Sequence, residues 1–233
     1  MKSVKDSMRI SKGIITEVKH HGGDYYSVKI QPEQKLDWNA GEHAVFTLSE
    51  AKFKAKRWRP FSVASLPQEG HILLGFRTGP VPSPYKKYVI EKGVGKKVKI
   101  KGPFGAFRLK DDDRPIVLFA SGVGVTPIFS MLKALSGDDR REVNVVYSAT
   151  GLFLFKQEID EIAAQNPKIK IFYTQGVEQT QQKLNELAKQ FGNEAYYYSS
   201  GAPFVVDSTR SLLMAQGIEK KNMLDDYFMG YKF

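Results

Sequence analysis

Up to about residue 110 the chain alternates apolar and polar positions in short runs, over residues 9–19, 25–31, 43–48, 60–65, 72–78 and 97–101. Turn-forming clusters such as Gly22-Gly23-Asp24, Asn39-Ala40-Gly41 and Gly93-Val94-Gly95 separate them. Short strands at regular spacing predict an antiparallel barrel or sandwich. A six-stranded barrel is the expectation, because closure hides the strand edges. Residues 84–91 are the helix candidate of this half.

From Asp111 the period changes. An apolar run at 116–120 leads through a glycine turn into a helical stretch at 127–135. Strands at 143–148, 169–174 and 195–199 then alternate with helices at 152–165, 181–191 and 203–216, and a last strand lies near 222–228. Nearly continuous apolar strands between helices predict a doubly wound parallel sheet covered on both faces. The polar run Lys110-Asp111-Asp112-Asp113-Arg114-Pro115 divides the halves, giving domains of residues 1–110 and 111–233.

Charge sharpens that division. Residues 1–110 carry 22 Lys and Arg against 9 Asp and Glu, a net of +13, whereas residues 111–233 have a net of −3. A basic half predicts a docking face for something negative. The absence of cysteine excludes disulfides, thiolate zinc sites, cysteine-ligated iron–sulfur clusters and a thiol nucleophile within these 233 residues. No apolar run approaches the roughly 20 residues of a transmembrane helix. The first residues show no secretory pattern, so a cytoplasmic protein is the expectation. Four histidines lack metal-ligand spacing, and no metal is expected.

Two stretches carry candidate chemistry. The first strand of the α/β half runs into Ser121-Gly122-Val123-Gly124-Val125-Thr126-Pro127. Its glycines permit a tight turn and close approach to a pyrophosphate, with Thr126 expected as helix cap and Pro127 at the first helical position. A bare strand–helix connection would look similar, and proline stands where a third fingerprint glycine would be. In the barrel half, Arg59-Pro60-Phe61-Ser62 offers a cation for phosphate, a ring for stacking and a hydroxyl for a ring nitrogen. A strand start with a core phenylalanine is the plainer alternative. Lys52-Phe53-Lys54-Ala55-Lys56-Arg57-Trp58 interleaves charge and aromatic residues, but it reads better as a polar edge loop than as a nucleic-acid surface.

The order of these motifs decides between the readings. Arg59-Pro60-Phe61-Ser62, then Gly102-Pro103-Phe104-Gly105, then the Gly122–Pro127 turn, then Asp225-Asp226-Tyr227-Phe228-Met229-Gly230-Tyr231 resembles the ferredoxin–NADP reductase superfamily over nearly the whole chain. The segments 40–46 and 58–65 are most similar to its ferric-reductase and oxygenase-reductase branches. The resemblance implies FAD, rather than FMN, in the barrel domain, NADH or NADPH on the α/β domain, and a flavin-dependent oxidoreductase activity. It further implies that the nicotinamide meets the flavin between the two domains.

By the same resemblance, Arg59 holds the flavin phosphate, Pro60 and Phe61 pack by the isoalloxazine, and Ser62 lies near its N5. The loop Gly79-Pro80-Val81-Pro82-Ser83-Pro84-Tyr85-Lys86-Lys87 matches the second flavin motif, so that Ser83, Tyr85 and Lys86 (or Lys87), with Arg77, surround the pyrophosphate. Gly122, Gly124, Thr126, Pro127, Ser148 and Gly201 receive the nicotinamide nucleotide. Ser200 stands where many relatives have cysteine. Phe228 is favoured over Tyr231 and Phe233 as the aromatic that covers the flavin.

Ser148-Ala149-Thr150 contains neither an arginine for a 2′-phosphate nor an acid for a ribose diol, which leaves NADH and NADPH both open. Without cysteine ligands the expected acceptor is a separate one, an acidic electron-carrier protein such as ferredoxin or flavodoxin. A ferric chelate or an oxygenase component is the alternative within the enzyme reading. A non-catalytic basic binding module, or a regulatory dinucleotide-binding protein, is the alternative outside it.

Overall fold

The computed structural model describes residues 10–228, in two compact units with the boundary between Arg108 and Leu109. The first unit contains β1 (Ile10–Gly22), β2 (Tyr25–Pro32), β3 (His43–Leu48), β4 (Trp58–Ser62), β5 (Ile72–Arg77), α1 (Pro84–Lys92) and β6 (Lys97–Phe104). The strands form one antiparallel sheet in the order β4-β3-β6-β1-β2-β5. Alternate residues face inward, as in β3, where Ala44, Phe46 and Leu48 are buried and their neighbours are not. They pack with Ile15, Ile30, Ile72 and Ile100 into one core.

The sheet curls into a barrel whose ladder does not close between β4 and β5. Just beyond β4, Ala64 N donates to Leu73 O at 2.8 Å. Ser65 Oγ accepts from Leu73 N at 2.9 Å and donates to His71 O at 2.8 Å. Ala64 and Ser65 therefore leave the ladder to stitch the gap, while Val63 N still donates to Glu42 O at 2.9 Å, and the strand expected at 60–65 ends at Ser62. Trp38 closes the core nearby, donating Nε1–H to Ser65 O at 2.8 Å.

The second unit contains β7 (Ile116–Ser121), α2 (Val125–Leu135), β8 (Val143–Ser148), α3 (Lys156–Gln165), β9 (Ile169–Thr174), α4 (Val177–Phe191), β10 (Tyr196–Gly201), α5 (Pro203–Ala215) and β11 (Met223–Tyr227). Its parallel sheet has the order β11-β10-β7-β8-β9. The order reverses between β7 and β10, the position where such sheets bind ligands beyond their carboxyl ends. α3 starts at Lys156 rather than at 152, because Phe155 takes φ 62° and its ring stacks on Phe129 at 4.7 Å. α4 starts four residues earlier than its apolar period predicts.

The polar run before β7 is fastened to the second unit. Lys110 N donates to the Tyr198 hydroxyl at 2.9 Å, and Tyr196 donates to Asp112 Oδ2 at 2.8 Å. The Arg114 guanidinium donates to the carbonyls of Asn193, Glu194 and Ala195. These bonds explain why the boundary falls at Arg108 and not within the charged run. Among the described residues no helix is long and apolar enough to cross a membrane.

Candidate functional site

Cations gather where β5 hands over to α1. Ser83 caps the helix, its Oγ accepting from Lys86 N at 3.4 Å, and Pro84 fills the first position, where no amide is missed. Lys86 turns back to donate to Arg77 O and lies 5.7 Å from the Phe76 ring. The Arg59 guanidinium reaches over from β4 to within 5.5 Å of the Tyr85 ring. Burial, then the neighbouring Arg59 and Arg77, push the Lys86 amine down to about 8, while Asp24 acts in the opposite sense. A half-buried amine held between two guanidiniums at a helix N-terminus is a site for an anion.

Asp24 organises this corner. Its carboxylate accepts from Arg77 Nε at 3.1 and 3.2 Å and from Gly79 N at 3.0 Å, and its carbonyl accepts from Thr78 N at 2.9 Å. Arg77 lies over the Tyr25 ring at 4.9 Å. Tyr25 is 3% exposed, and its hydroxyl has no hydrogen-bond partner among the described residues. Such an orphaned polar atom fits a site built for a ligand. In the sequence Gly22-Gly23-Asp24 reads only as a turn, and neither Asp24 nor Tyr25 stands out. The strand pairing of Tyr25 with Arg77, 52 residues on, is the one signal that points to them.

Arg59 and Phe61 share the inner side of β4, with Pro60 exposed between them and Ser62 buried after them. The Phe61 ring is half-buried and packs 5.9 Å from Phe76, 6.1 Å from Tyr85 and 6.2 Å from Phe46. Lys87, the alternative to Lys86, instead pairs with Glu91 at 3.8 Å, away from the cluster.

In the second unit Gly122, Gly124 and Gly201 meet at the switch point. Gly122 holds φ 54° with open space where a Cβ would be. Gly124 serves a different purpose: a Cβ there would lie 2.1 Å from Ser200 O, so glycine lets α2 press against the end of β10. The structure corrects the expected roles of the next two residues. Thr126 is not the helix cap; α2 begins after Gly124, and the buried Thr126 hydroxyl donates to Val123 O at 2.8 Å. Pro127 is accordingly the third helical residue, not the first, where it still forfeits no intrahelical bond.

Ser200 is fully buried and donates to Asp226 Oδ2 at 3.2 Å, a link with no signature in the sequence. Phe228 N donates to Gly201 O at 2.8 Å, which continues the β10–β11 pairing to Phe228. Tyr231 and Phe233 lie outside the described residues. At the ends of β8 and β9 the Ser148 hydroxyl accepts from Thr180 at 3.0 Å, and Thr180 also meets the Thr174 hydroxyl at 2.8 Å. No cluster of three potential metal ligands occurs among the described residues.

Residues 118–200 match the oxidoreductase NAD-binding domain family. Across 98% of both chains the structure superposes on the H286L variant of ferredoxin–NADP⁺ reductase from Plasmodium falciparum, with a TM-score of 0.80 and 16% identity. The chain has the ferredoxin–NADP reductase fold. The flavohem-like FAD/NAD-binding domain of nitric oxide dioxygenase from Vibrio cholerae shares that fold, at TM-score 0.80 and 21% identity over 94% of this chain and 98% of the other. By sequence the chain is 28% identical over 232 residues to a component of the Na⁺-translocating NADH-quinone reductase of Methylococcus capsulatus, covering 85% of this chain and 55% of the relative. It spans a little over half the length of the curated relatives it matches first.

The donor set of the barrel unit fits the diphosphate of FAD. Arg59, Arg77 and Lys86 supply charge at the start of α1, and Tyr25 supplies an unspent hydroxyl. In the second unit the turn at Gly122, with open space where a side chain would be, lies beside the end of β10 at the switch point.

Proposed function

We propose that this chain is an NAD(P)H-dependent flavin oxidoreductase that accepts a hydride on FAD and passes electrons to a separate acceptor. The observation that carries this reading is the cation cluster of Arg59, Arg77 and Lys86 at the start of α1, in a fold whose other unit matches an oxidoreductase NAD-binding domain. When bound, the flavin takes electrons in a pair and releases them singly. Arg59, Arg77, Lys86 and Ser83 hold its diphosphate, while Asp24 sets the angle of the Arg77 guanidinium. Phe61 bounds the ring site, and Ser62 offers a hydroxyl beside it, whereas Pro60, expected to pack there too, points to the other face of β4. Gly122, Gly201 and the first turn of α2, with Thr126 and Pro127 shaping it, receive the nicotinamide dinucleotide, and Ser148 lies at its ribose end. Ser200, oriented by Asp226, and Phe228 flank the nicotinamide. NADH and NADPH both remain candidates.

The direct test is the visible spectrum of the purified protein, with flavin bands that bleach on adding NADH or NADPH. A colourless protein that gains no bands with added FAD overturns the reading. FAD titration tests the site itself. Arg59→Ala is expected to weaken binding by about 2–4 kcal/mol, the loss of one partner from a charge-assisted pair. An anion beside Lys86 raises its depressed pKa, so binding takes up a proton above pH 8. Affinity should fall as the pH rises beyond about 8, and Lys86→Met should flatten that dependence. Unchanged affinity in Arg59→Ala removes that residue from the site.

The acceptor follows from the charge division. Lys52, Lys54, Lys56 and Arg57 are exposed on the loop before β4, next to Arg59. An acidic one-electron carrier docking there would be steered by opposite fields. No nucleic acid is part of this reading, and the cytoplasm is its compartment. Carrier reduction should slow steeply between about 0.01 and 0.15 M salt, as the Debye length drops from roughly 30 to 8 Å. A flat salt profile points to a small acceptor such as a ferric chelate.

A further inference from the structure

The outer face of the barrel carries lysines in a fixed pattern. Strand register places Lys12, Lys99, Thr47 and Trp58 side by side across β1, β6, β3 and β4. The adjacent row is Ile10, Lys101, Val45 and Pro60, and Lys97 opposite Ile14 begins a third. Lys12, Lys97, Lys99 and Lys101 are exposed, as are Ile10 at 63%, Trp58 at 44% and Ile14 at 37%. The face is three interstrand steps across, or about 14 Å.

Two features set it apart from an ordinary solvated surface. Lys12 stands directly opposite Lys99, and like charges facing across a ladder destabilise a sheet. Residues 10–16, β3, β4 and β6 contain no acidic residue. The nearby carboxylates lie at the margins: Glu17 pairs with Lys29, Glu50 pairs with Lys96, and Glu33 follows β2, its amide bonded to Lys12 O. Among the described residues none of the four lysines forms an ion pair.

We infer that this face binds an anionic membrane surface. The choice of lipid over an acidic protein rests on residue type. Protein interfaces favour arginine, whose guanidinium gives directed paired bonds. The loop before β4 has Arg57, whereas the rows of this face hold lysine and no arginine. Diffuse anionic headgroups need only positive charge, and they accept lysine stems, a tryptophan and short aliphatic side chains at the interface. This site is separate from Arg59, Arg77 and Lys86, and it stands whether or not the flavin reading does.

The test is sedimentation with phosphatidylcholine vesicles, with and without 30% phosphatidylserine, at several salt concentrations. Wild type should bind the anionic vesicles and not the neutral ones, with binding lost at high salt. Each lysine near such a surface is worth about fivefold in affinity, so the triple variant Lys12→Gln, Lys99→Gln, Lys101→Gln should lose about a hundredfold. A control with the same charge change, Lys189→Gln, Lys220→Gln, Lys221→Gln, should bind like wild type. Trp38 is buried, so a blue shift of emission on binding reports Trp58, and Trp58→Phe should remove it. Equal losses in both triple variants would reduce the effect to net charge and overturn the proposal. So would an absence of vesicle binding by wild type, and retention on immobilised acidic protein that the Lys12, Lys99, Lys101 variant loses would then assign the face to a protein partner.

Discussion

Gly124→Ala is expected to abolish NAD(P)H binding and to cost about 3 kcal/mol or more of stability, whereas Gly122→Ala should cost only about 1–2 kcal/mol. The two glycines stand in one turn but answer to different constraints. A Cβ on Gly122 meets open space, and the penalty is that of holding an L-residue at φ 54°. A Cβ on Gly124 meets Ser200 O at 2.1 Å and the Ser200 carbonyl carbon at 2.6 Å. Both are backbone atoms in the middle of a parallel ladder, where β10 pairs with β7 on one side and β11 on the other. They cannot rotate away as a side-chain tip could, so α2 must lift from the sheet. That movement would take with it the helix N-terminus and the amides proposed to receive the dinucleotide. Urea unfolding of both variants, with NADH titration by fluorescence, checks the pair. Wild-type affinity in Gly124→Ala would dissociate the turn from nucleotide binding.

The contrast between those glycines also marks where the sequence is legible. The change from period-2 strands to apolar strands alternating with helices is visible because each strand's burial is set locally: β3 shows one face, β7 and β8 show two. Element ends are harder. α3 loses four residues to the left-handed Phe155, whose conformation is settled by stacking on Phe129 from another helix. Val63 still bonds Glu42 at the start of β3, but Ala64 and Ser65 look like strand and serve as stitching, because their partners are Leu73 on β5 and His71 just before it. The glycine turn is legible as a turn, yet its cap is not where the sequence suggests, since Thr126 gives its hydroxyl to Val123 O one turn back. Asp24 and Tyr25 cannot be read at all from local pattern. Their significance comes from pairing with a residue more than fifty positions away, and a turn aspartate looks the same whether or not it holds an arginine.

Arg108→Ala is expected to destabilise the barrel unit by about 3 kcal/mol, although Arg108 is the last residue of that unit and partly exposed. Its partner explains the size of the effect. Glu42 is wholly buried, and its carboxylate accepts from Arg108 Nη2 at 2.7 Å and from Asn39 Nδ2 at 2.8 Å. Removing the guanidinium leaves a buried anion with much weaker compensation, and such breaks typically cost about 3–5 kcal/mol. The 37% exposure of the arginine side chain places this one at the lower end. The cost should not stay at the end of the unit. Glu42 N donates to Asn39 O, and Glu42 O accepts from Val63 N at 2.9 Å, so the same residue holds the start of β3 against the end of β4. Loosening it should therefore also weaken FAD binding through Arg59, Phe61 and Ser62, which touch neither Glu42 nor Arg108 by any bond described above. Glu42→Gln separates the two causes. It removes the buried charge but keeps an amide oxygen for Asn39, so the double variant Glu42→Gln, Arg108→Ala should recover much of the stability lost in Arg108→Ala alone. Urea midpoints for the wild type, the two single variants and the double variant measure that coupling. If Arg108→Ala unfolds at the wild-type midpoint, the pair does not hold the barrel, and the β3–β4 ladder with the Ala64–Leu73 and Ser65 bonds positions β4 without it.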